Sequence, residues 1–210
     1  MMRSMVFAAG LLLVGTCALP GCAGLHSRQQ PTQVYVLQPL WPAAANPPDD
    51  VRSGVSATST LRVLRPLAGP GLDTDRIALT RDARRLDYYA ASRWPAPLPD
   101  FLQSLAIDAL RASGKYRAVQ PDATAFAADE VLQLEIRRLQ AEYAGDGLPI
   151  AHVQLVATLG RRSDRSLLTS VTADSSVAAS ENRMQSVVAA FQSAVGEALS
   201  ELAKRLPVQP

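Results

Sequence analysis

The chain has 210 residues and a formal net charge of +2. It shows no cluster of basic residues interleaved with aromatics, so we expect no nucleic-acid partner. The two cysteines, Cys17 and Cys22, belong to the N-terminal signal described below, so the two histidines are left without cysteine partners for a zinc site. No Walker, Gly-x-Ser-x-Gly or Gly-x-Gly-x-x-Gly motif is present, and we expect no metal, no cofactor and no enzymatic activity.

The chain begins with the pattern of a bacterial secretory signal. Arg3 supplies a positive charge, Val6 to Val14 form an apolar run, and small residues precede Leu19-Pro20-Gly21-Cys22. About 20 apolar residues are needed to cross a bilayer, and this run is interrupted earlier. The last four residues resemble the bacterial lipobox, in which the cysteine is acylated and the chain is cut before it. We expect residues 1–21 to be a signal peptide and Cys22 to be lipidated; in the alternative, an ordinary secreted protein, Cys22 merely lies near the cleavage site.

The residues after the expected cleavage site indicate where the mature protein lies. Ala23 follows Cys22, whereas an aspartate at this position tends to retain such lipoproteins at the inner membrane. We therefore expect attachment to the periplasmic face of the outer membrane of a Gram-negative bacterium. Residues 22–32 are expected to form a lipidated tether, residues 33–206 one domain and residues 207–210 a short tail. Because Cys17 leaves with the signal peptide and Cys22 is acylated, no disulfide is available to the domain.

The first half of the domain is predicted to contain short strands and one helix. Strands are predicted at Val34–Leu37, at Leu61–Leu67, in a hairpin of Arg76–Thr80 with Leu86–Ser92, and at Tyr116–Val119. Proline and alanine are frequent between Pro42 and Thr58, which predicts a loop. Pro97 and Asp100 mark the start of the helix, and Gly114 marks its end.

The second half has the most regular pattern. Apolar and polar residues alternate in three stretches between Asp129 and Val177, which predicts an antiparallel three-strand meander. The alternation slips by one at Arg137-Arg138, which predicts a β-bulge. A long amphipathic helix is predicted from about Glu181 to Leu206, with Gly196 permitting a close approach to the sheet. This helix is expected to pack on the sheet, and docking onto a partner helix or a membrane surface is the alternative.

Runs of strands with one helix in the middle and one at the end are typical of α+β proteins. The predicted fold is therefore a single two-layer domain, with a largely antiparallel sheet and two main helices packed on one face. The order of the strands in the sheet does not follow from the pattern.

Several short motifs occur in the same order as in a known family. They are Tyr35-x-Leu37-x-Pro39, Leu61-Arg62-Val63 with Pro66-Leu67, Pro70 to Ile77, Leu86 to Ala90 with Arg93-Trp94, Ser113-Gly114-x-Tyr116 and Ala128-Asp129-x-x-Leu132. Together with the lipobox they resemble the ABC-type transport auxiliary lipoprotein family. The resemblance implies a non-catalytic accessory subunit of an envelope transport system. Such a system consists of an ABC transporter and an MCE-domain protein, and it moves lipid or other apolar cargo between two membranes.

The resemblance also implies two kinds of contact for this subunit. The acyl chains on Cys22 attach it to the membrane, and a protein surface docks the MCE-domain protein or the ABC transporter subunits; formation of a homo-oligomer is left open. We expect this surface in the loop from Gly69 to Arg76 and in the segment from Tyr88 to Trp94, because exposed Tyr, Trp and Arg are frequent interface anchors. The candidate partner-binding residues are Leu72, Asp73, Asp75, Arg76, Tyr88, Tyr89, Arg93 and Trp94. In the alternative interpretation, the aromatic residues belong to the core.

Two other functions remain as alternatives. A periplasmic lipid carrier would need its own apolar cavity between the sheet and the helices. An envelope hydrolase would need an activated nucleophile, which the sequence does not show. Loop carboxylates such as Asp73 and Asp75 commonly accept hydrogen bonds from their own backbone, so they are weak evidence for acid–base chemistry.

Overall fold

The computed structural model describes residues 31–41, 58–82 and 84–207. The expected signal peptide, Cys22, most of the tether, most of the proline-rich loop and the end of the tail lie outside the described residues. From residue 31 onward, the described chain belongs to one structural unit. No helix within these residues is long and apolar enough to cross a membrane.

Nine strands and two helices follow one another in the described part of the chain. In order they are β1 (Gln33–Val34), β2 (Thr60–Val63), β3 (Leu67–Ala68), β4 (Arg76–Arg81), β5 (Arg85–Arg93), α1 (Leu98–Ala112), β6 (Ala118–Pro121), β7 (Glu130–Tyr143), β8 (Ile150–Arg161), β9 (Leu167–Ala178) and α2 (Met184–Arg205). The predicted hairpin, the three-strand meander and both predicted helices are confirmed.

The sheet is arranged around β7, its longest strand. One edge of β7 pairs antiparallel with β8 along nearly its whole length, and β9 pairs antiparallel with the far edge of β8. The other edge of β7 pairs in succession with β2, β3 and β4, all in the parallel direction. β6 extends the sheet beyond β2, while β5 and then β1 extend it beyond β4. The result is a mixed, mostly antiparallel nine-strand sheet, which confirms the predicted fold class.

Both helices pack against the same face of this sheet. On β7, the inward side chains of Leu132, Leu134 and Ile136 are at most 1% exposed, and they alternate with half-buried residues on the other face. A small void is bordered by Leu134 together with Ala109 of α1 and Leu202 of α2. The two helices therefore share one apolar layer with the sheet, as the alternating pattern predicts.

Trp94, which follows β5, lies where the two helices meet. Its ring centroid is 5.7 Å from that of Phe101 in α1 and 5.6 Å from that of Phe191 in α2, the latter in an edge-to-face arrangement. The backbone N–H of Trp94 donates to the carbonyl of Asp75 at 2.7 Å. Trp94 is 1% exposed, so it joins the hairpin to both helices from inside the core.

The predicted β-bulge on β7 is confirmed. The register pairs Ile136 with Leu155 and then Arg138 with Gln154, so Arg137 is the extra residue. This extra residue returns Leu139 to the buried face after the polar pair.

Some predicted strand limits differ from the structure. β1 covers Gln33–Val34 rather than Val34–Leu37, and the strand predicted at Leu61–Leu67 is divided into β2 and β3. The division falls around Pro66, because proline has no N–H to donate to the ladder. β6 begins at Ala118, two residues later than predicted. Tyr116, where the strand was expected to begin, is a buried residue that precedes the strand.

Gly196 in α2 does permit a close approach, but the approaching segment is not the sheet. A Cβ atom at Gly196 would lie 3.2 Å from Cβ of Pro39, in the segment after β1. In the same segment, the backbone N–H of Gln38 donates to Oε1 of Gln192 at 3.1 Å. The glycine therefore allows this segment to lie against α2.

Candidate functional site

The loop before β4 and the C-terminal part of β5 lie side by side, as the sequence predicts. Arg76 pairs with Arg93 across the β4–β5 hairpin. We call the exposed and half-buried side chains in this region the hairpin surface; they are Asp73, Asp75, Arg76, Tyr88 and Arg93. Five of the eight candidate partner-binding residues therefore belong to one continuous part of the fold.

Arg76 and Tyr88 form the aromatic part of the hairpin surface. The guanidinium carbon of Arg76 lies 3.8 Å from the centroid of the Tyr88 ring, which is a cation–π contact. The Tyr88 hydroxyl donates to the carbonyl of Gly71 at 2.8 Å. Gly71 has φ +78°, and a Cβ atom there would collide with the Leu86 side chain, so this turn requires glycine. The arginine is thus held over an aromatic ring that is itself tied to the neighbouring turn.

Two ion pairs form the charged part of the surface. Asp75 pairs with Arg93 at 3.3 Å, and Asp73 pairs with Arg65 at 2.8 Å. Arg65 also pairs at 2.7 Å with Asp100, in the first turn of α1. These hydrogen bonds raise the pKa of Arg65, mainly through Asp73, and Arg65 in turn lowers the pKa of Asp73. All of these side chains are well exposed, so the pairs orient the loop more than they stabilise the fold.

Arg65 is a residue of this region that the sequence did not reveal. Its two partners lie 8 and 35 residues away, and no local motif connects the three positions. Arg65 lies directly before Pro66, in the break between β2 and β3. Its proximity to the two carboxylates follows only from the assembled sheet.

Tyr89 lies on the opposite face of β5 from Tyr88, as expected for neighbours in a strand. Its hydroxyl is 2.9 Å from that of Tyr143, and the Tyr143 hydroxyl donates to Oδ1 of Asn182 at 2.9 Å, so Tyr89 is the donor to Tyr143. Burial, together with the Tyr143 hydrogen bond, raises the pKa of Tyr89. Tyr89 therefore links β5 to β7 and stands apart from the hairpin surface.

For Leu72 and Trp94 the interface prediction is wrong. Leu72 is 3% exposed and Trp94 is 1% exposed, so neither presents a surface to a partner. Both are apolar residues next to turns, where the sequence pattern does not distinguish an anchor on the surface from a residue that closes the core.

The comparison with known families agrees with this fold. Residues 35–203 match the model of the ABC-type transport auxiliary lipoprotein component. The chain belongs to this family. Its members are auxiliary components of ABC-type transport systems, so association with ABC transport components follows from membership, and the family is not an enzyme family.

Several solved structures are similar to this auxiliary lipoprotein. Protein XCC0632 from Xanthomonas campestris has 27% identity and a TM-score of 0.70, with 81% of this chain and 92% of that chain covered. An uncharacterised protein has 11% identity and a TM-score of 0.60, with 71% and 92% covered. The PelC dodecamer from Paraburkholderia phytofirmans has 18% identity and a TM-score of 0.45, with 72% and 92% covered. No curated protein matches the chain.

The auxiliary lipoprotein also has a charged cleft at the end of the sheet where β7 begins. We call it the Glu130 cleft; its volume is about 730 Å³, and its charged and polar lining includes Ser59, Arg117, Asp129, Glu130, Arg161 and Arg162. Glu130 is only 2% exposed, and within the described residues neither of its carboxylate oxygens has a hydrogen-bond partner. Burial raises the pKa of Glu130, Asp129 adds to this effect, and Ser59 and Arg161 oppose it.

The sequence does contain a signal for Glu130. The residue occupies an inward position of the alternation that continues with Leu132, Leu134 and Ile136, where a charged side chain is unusual.

Glu130→Gln is expected to change how stability depends on pH. The raised pKa means that the folded protein holds the proton on the Glu130 carboxyl more tightly than the unfolded chain does. At pH values above 4.5, the ordinary pKa of glutamate, the folded protein therefore binds more protons than the unfolded chain. The free energy of unfolding should therefore fall as pH rises from 4.5 toward the raised pKa. The variant should lose this decrease and be more stable at neutral pH, by on the order of 1 kcal/mol. Urea unfolding from pH 4 to pH 8 measures the difference, and parallel curves for the two proteins would contradict it.

Proposed function

We propose that this chain is a non-catalytic lipoprotein of the outer membrane that docks the other components of an envelope transport system. In this proposal, acylated Cys22 attaches the chain to the periplasmic face, and the domain contacts an MCE-domain protein and ABC transporter subunits. The cargo is lipid or another apolar molecule that moves between the two membranes. Family membership supports the auxiliary role, and the lipobox supports the anchor.

The packing between the sheet and the helices favours docking over lipid carriage. Ligand pockets usually have volumes of about 300–1,000 Å³. In the described residues, the void between β7 and the two helices is only about 10 Å³. An apolar cavity near the C-terminal ends of the helices, lined by Trp41, Ala109 and Ala203 among others, reaches about 180 Å³. The layer between β7 and the two helices is thus too well filled for an acyl chain, and this packing supports docking over lipid carriage.

His152 gives no support to the hydrolase alternative. It is the one histidine in the described residues, and its Nδ1 and Nε2 atoms lie 3.0 Å from Oε1 of Glu142 and 3.0 Å from Oδ1 of Asp174. Because a carboxylate occupies each ring nitrogen, neither nitrogen faces a serine hydroxyl. No group of three or more His, Cys, Asp or Glu in this part of the chain is placed to bind a metal ion.

The hairpin surface is the part of the domain that we propose for the docking contact. It combines an arginine stacked on a tyrosine with ion pairs at its border, which is a frequent composition of interface anchors. Arg76 is exposed although its position is fixed by Tyr88, so little conformational entropy is lost when it binds a partner.

The docking proposal is tested by crosslinking in intact cell envelopes followed by identification of the captured proteins. Arg76→Glu is expected to reduce capture of an MCE-domain or ABC transporter protein by about tenfold or more, because an interface anchor contributes about 2 kcal/mol. Arg137→Glu is the matched control, because Arg137 is an exposed arginine on the open face of the sheet. The capture yield of this variant should equal that of the unaltered protein. Equal yields for the two variants would argue against the hairpin surface. If the unaltered protein captured no MCE or ABC component, the proposed function itself would be contradicted.

A further inference from the structure

The turn between β4 and β5 presents three exposed arginines. Arg81 ends β4, Arg85 begins β5, and Arg84 lies in the turn between them. The backbone N–H of Arg84 donates to the carbonyl of Arg81 across the turn, at 3.5 Å. The guanidinium carbon of Arg81 lies 5.0 Å from the centroid of the Tyr143 ring in β7, which is a cation–π contact. We call Arg81, Arg84 and Arg85 the arginine turn.

The strand pairing shows which other segment lies at the same end of the sheet. β4 is parallel to β7, and the last residues of the two strands are paired with each other. The turn that follows β7, residues 144–149, therefore lies beside the arginine turn. It carries Leu148, whose side chain is 49% exposed. This end of the sheet thus combines guanidinium groups with an exposed apolar side chain.

The opposite end of the sheet also has a turn that is rich in arginine. β8 ends opposite Glu130, the first residue of β7, and residues 161–165 of the following turn include three arginines and one aspartate. At the end with the arginine turn, the aspartates of the two turns are Asp82 and Asp146, again fewer than the arginines. Charge alone therefore does not decide which end would face a membrane.

The direction of β1 distinguishes the two ends. β1 is parallel to β5, with Gln33 opposite Ser92 and Val34 opposite Arg93. β5 starts at the arginine turn, so the chain comes to Gln33 from the side of the arginine turn and not from the side of the β8–β9 turn.

The length of chain before Gln33 is sufficient for this arrangement. An extended chain covers about 3.3–3.6 Å per residue, so the segment from Cys22 to Gln33 can span at most about 36–40 Å. Arg93 pairs with Arg76 at the start of β4, and the arginine turn lies at the other end of that strand. The six residues of β4 cover about 20 Å. Acyl chains on Cys22 therefore reach the level of the arginine turn.

We propose that the arginine turn and Leu148 contact the surface of the membrane that holds acylated Cys22, with the arginines bound to the phosphates of anionic phospholipids. Guanidinium groups bind phosphate oxygens in pairs, and basic residues near an anionic membrane strengthen its attraction. Leu148 enters the boundary between the headgroups and the acyl chains. The inference rests on the proposed lipidation of Cys22. Since the acyl chains already provide attachment, the role of the contact is to orient the domain.

This orientation agrees with the position of the hairpin surface. Arg76 and Arg93 lie at the end of the β4–β5 hairpin that is opposite the arginine turn. With the arginine turn on the membrane, they are about 20 Å from it, at the other end of β4. The hairpin surface is then accessible to a partner that approaches from the periplasm.

The first test measures which end of the sheet lies near lipid. After acylation of Cys22 the mature protein has no free thiol, so one introduced cysteine carries one fluorophore. Ala144→Cys and Ser163→Cys place the label in exposed turns that the twelve residues of β8 separate by about 40 Å. The lipidated protein is reconstituted in vesicles of phosphatidylcholine and phosphatidylglycerol that contain a lipid with a quencher on its headgroup. The label at residue 144 should lose most of its fluorescence, and the label at residue 163 should keep most of it. Equal quenching, or stronger quenching at residue 163, would overturn the proposal.

The second test assigns the contact to the arginines. Cys22→Ala in the mature chain removes the acyl anchor, so vesicle binding reports on the protein surface alone. This chain should bind phosphatidylcholine vesicles more tightly when they contain phosphatidylglycerol, and Arg84→Gln with Arg85→Gln should weaken that binding by about tenfold or more. Arg162→Gln with Arg165→Gln is the matched control at the opposite end, and it should leave the binding unchanged. Equal effects of the two double variants, or no preference for phosphatidylglycerol, would contradict the inference.

The outcomes separate this inference from the proposed function. An acylated, membrane-bound protein without preferential quenching at residue 144 overturns the membrane contact and leaves the anchor and the docking proposal unaffected. If Arg84→Gln with Arg85→Gln lowers protein capture in envelopes but not vesicle binding, the turn contacts a protein and the inference is wrong. The vesicle titration needs no acyl group, so it decides the inference even if Cys22 proves not to be lipidated.

Discussion

Cys22→Ala is expected to transfer the protein from the membrane fraction to the soluble periplasmic fraction and to abolish transport. Each buried methylene of an acyl chain contributes about 0.8 kcal/mol, and one chain alone binds only marginally, so two or more chains make the attachment stable. The residue precedes the described domain, which begins at residue 31, and the fold should therefore be retained. Fractionation, a thermal melt and a transport assay measure the three expectations.

The natural control for this variant is Cys17→Ala. Cys17 lies within the predicted signal peptide and leaves with it, so the mature protein should stay lipidated, attached and active. Full transport by unanchored Cys22→Ala protein would show that membrane attachment is not required for function. Attachment of Cys22→Ala to the membrane would show that another residue or surface provides the anchor.

Trp94→Ala is expected to cause the largest loss of stability of any single substitution considered for this domain. The side chain is 1% exposed and packs against Phe101 and Phe191, so its removal opens a cavity between the hairpin and both helices. Replacing a buried aromatic residue by alanine costs about 3–5 kcal/mol. For a domain of this size the melting temperature should fall by roughly 6–20 °C. Denaturant unfolding and a thermal melt measure both effects.

Trp94→Phe separates packing from hydrogen bonding at this position. The indole Nε1 atom has no hydrogen-bond partner within the described residues, so phenylalanine removes volume but breaks no hydrogen bond. We expect a much smaller loss of stability than for Trp94→Ala. Equal losses in the two variants would mean that the indole nitrogen has a role that the packing does not explain.

The regular parts of the fold could be predicted from the sequence because their periodicity is local. The alternation along β7 to β9, the slip at Arg137 and the spacing of apolar residues in both helices each depend on neighbouring positions. The parallel pairing of β2, β3 and β4 with β7 could not be predicted in this way. These strands have two to six residues, too few to show a period, and their partner lies far along the chain.

The contacts of the hairpin surface likewise divide into local ones, which the sequence can predict, and distant ones, which it cannot. Tyr88 and Arg76 are adjacent across a hairpin, which local sequence does encode. The burial of Trp94 depends on two helices that are distant in sequence, and the role of Arg65 depends on a carboxylate in α1. The sequence therefore predicts which of these residues lie close together across the hairpin, but it does not predict which of their side chains face solvent.

The edge of β7 that three parallel strands share also has a consequence for the order of folding. The backbone N–H of Thr60 in β2 donates to Oδ2 of Asp129, 69 residues later. β3 and β4 likewise pair with β7, which is synthesised after them. Contacts between distant residues slow folding, and unpaired strands are prone to aggregate until their partners arrive. The first half of this domain is therefore synthesised before it can form its sheet, and β2 and β3 lack their partner on β7 until the second half follows.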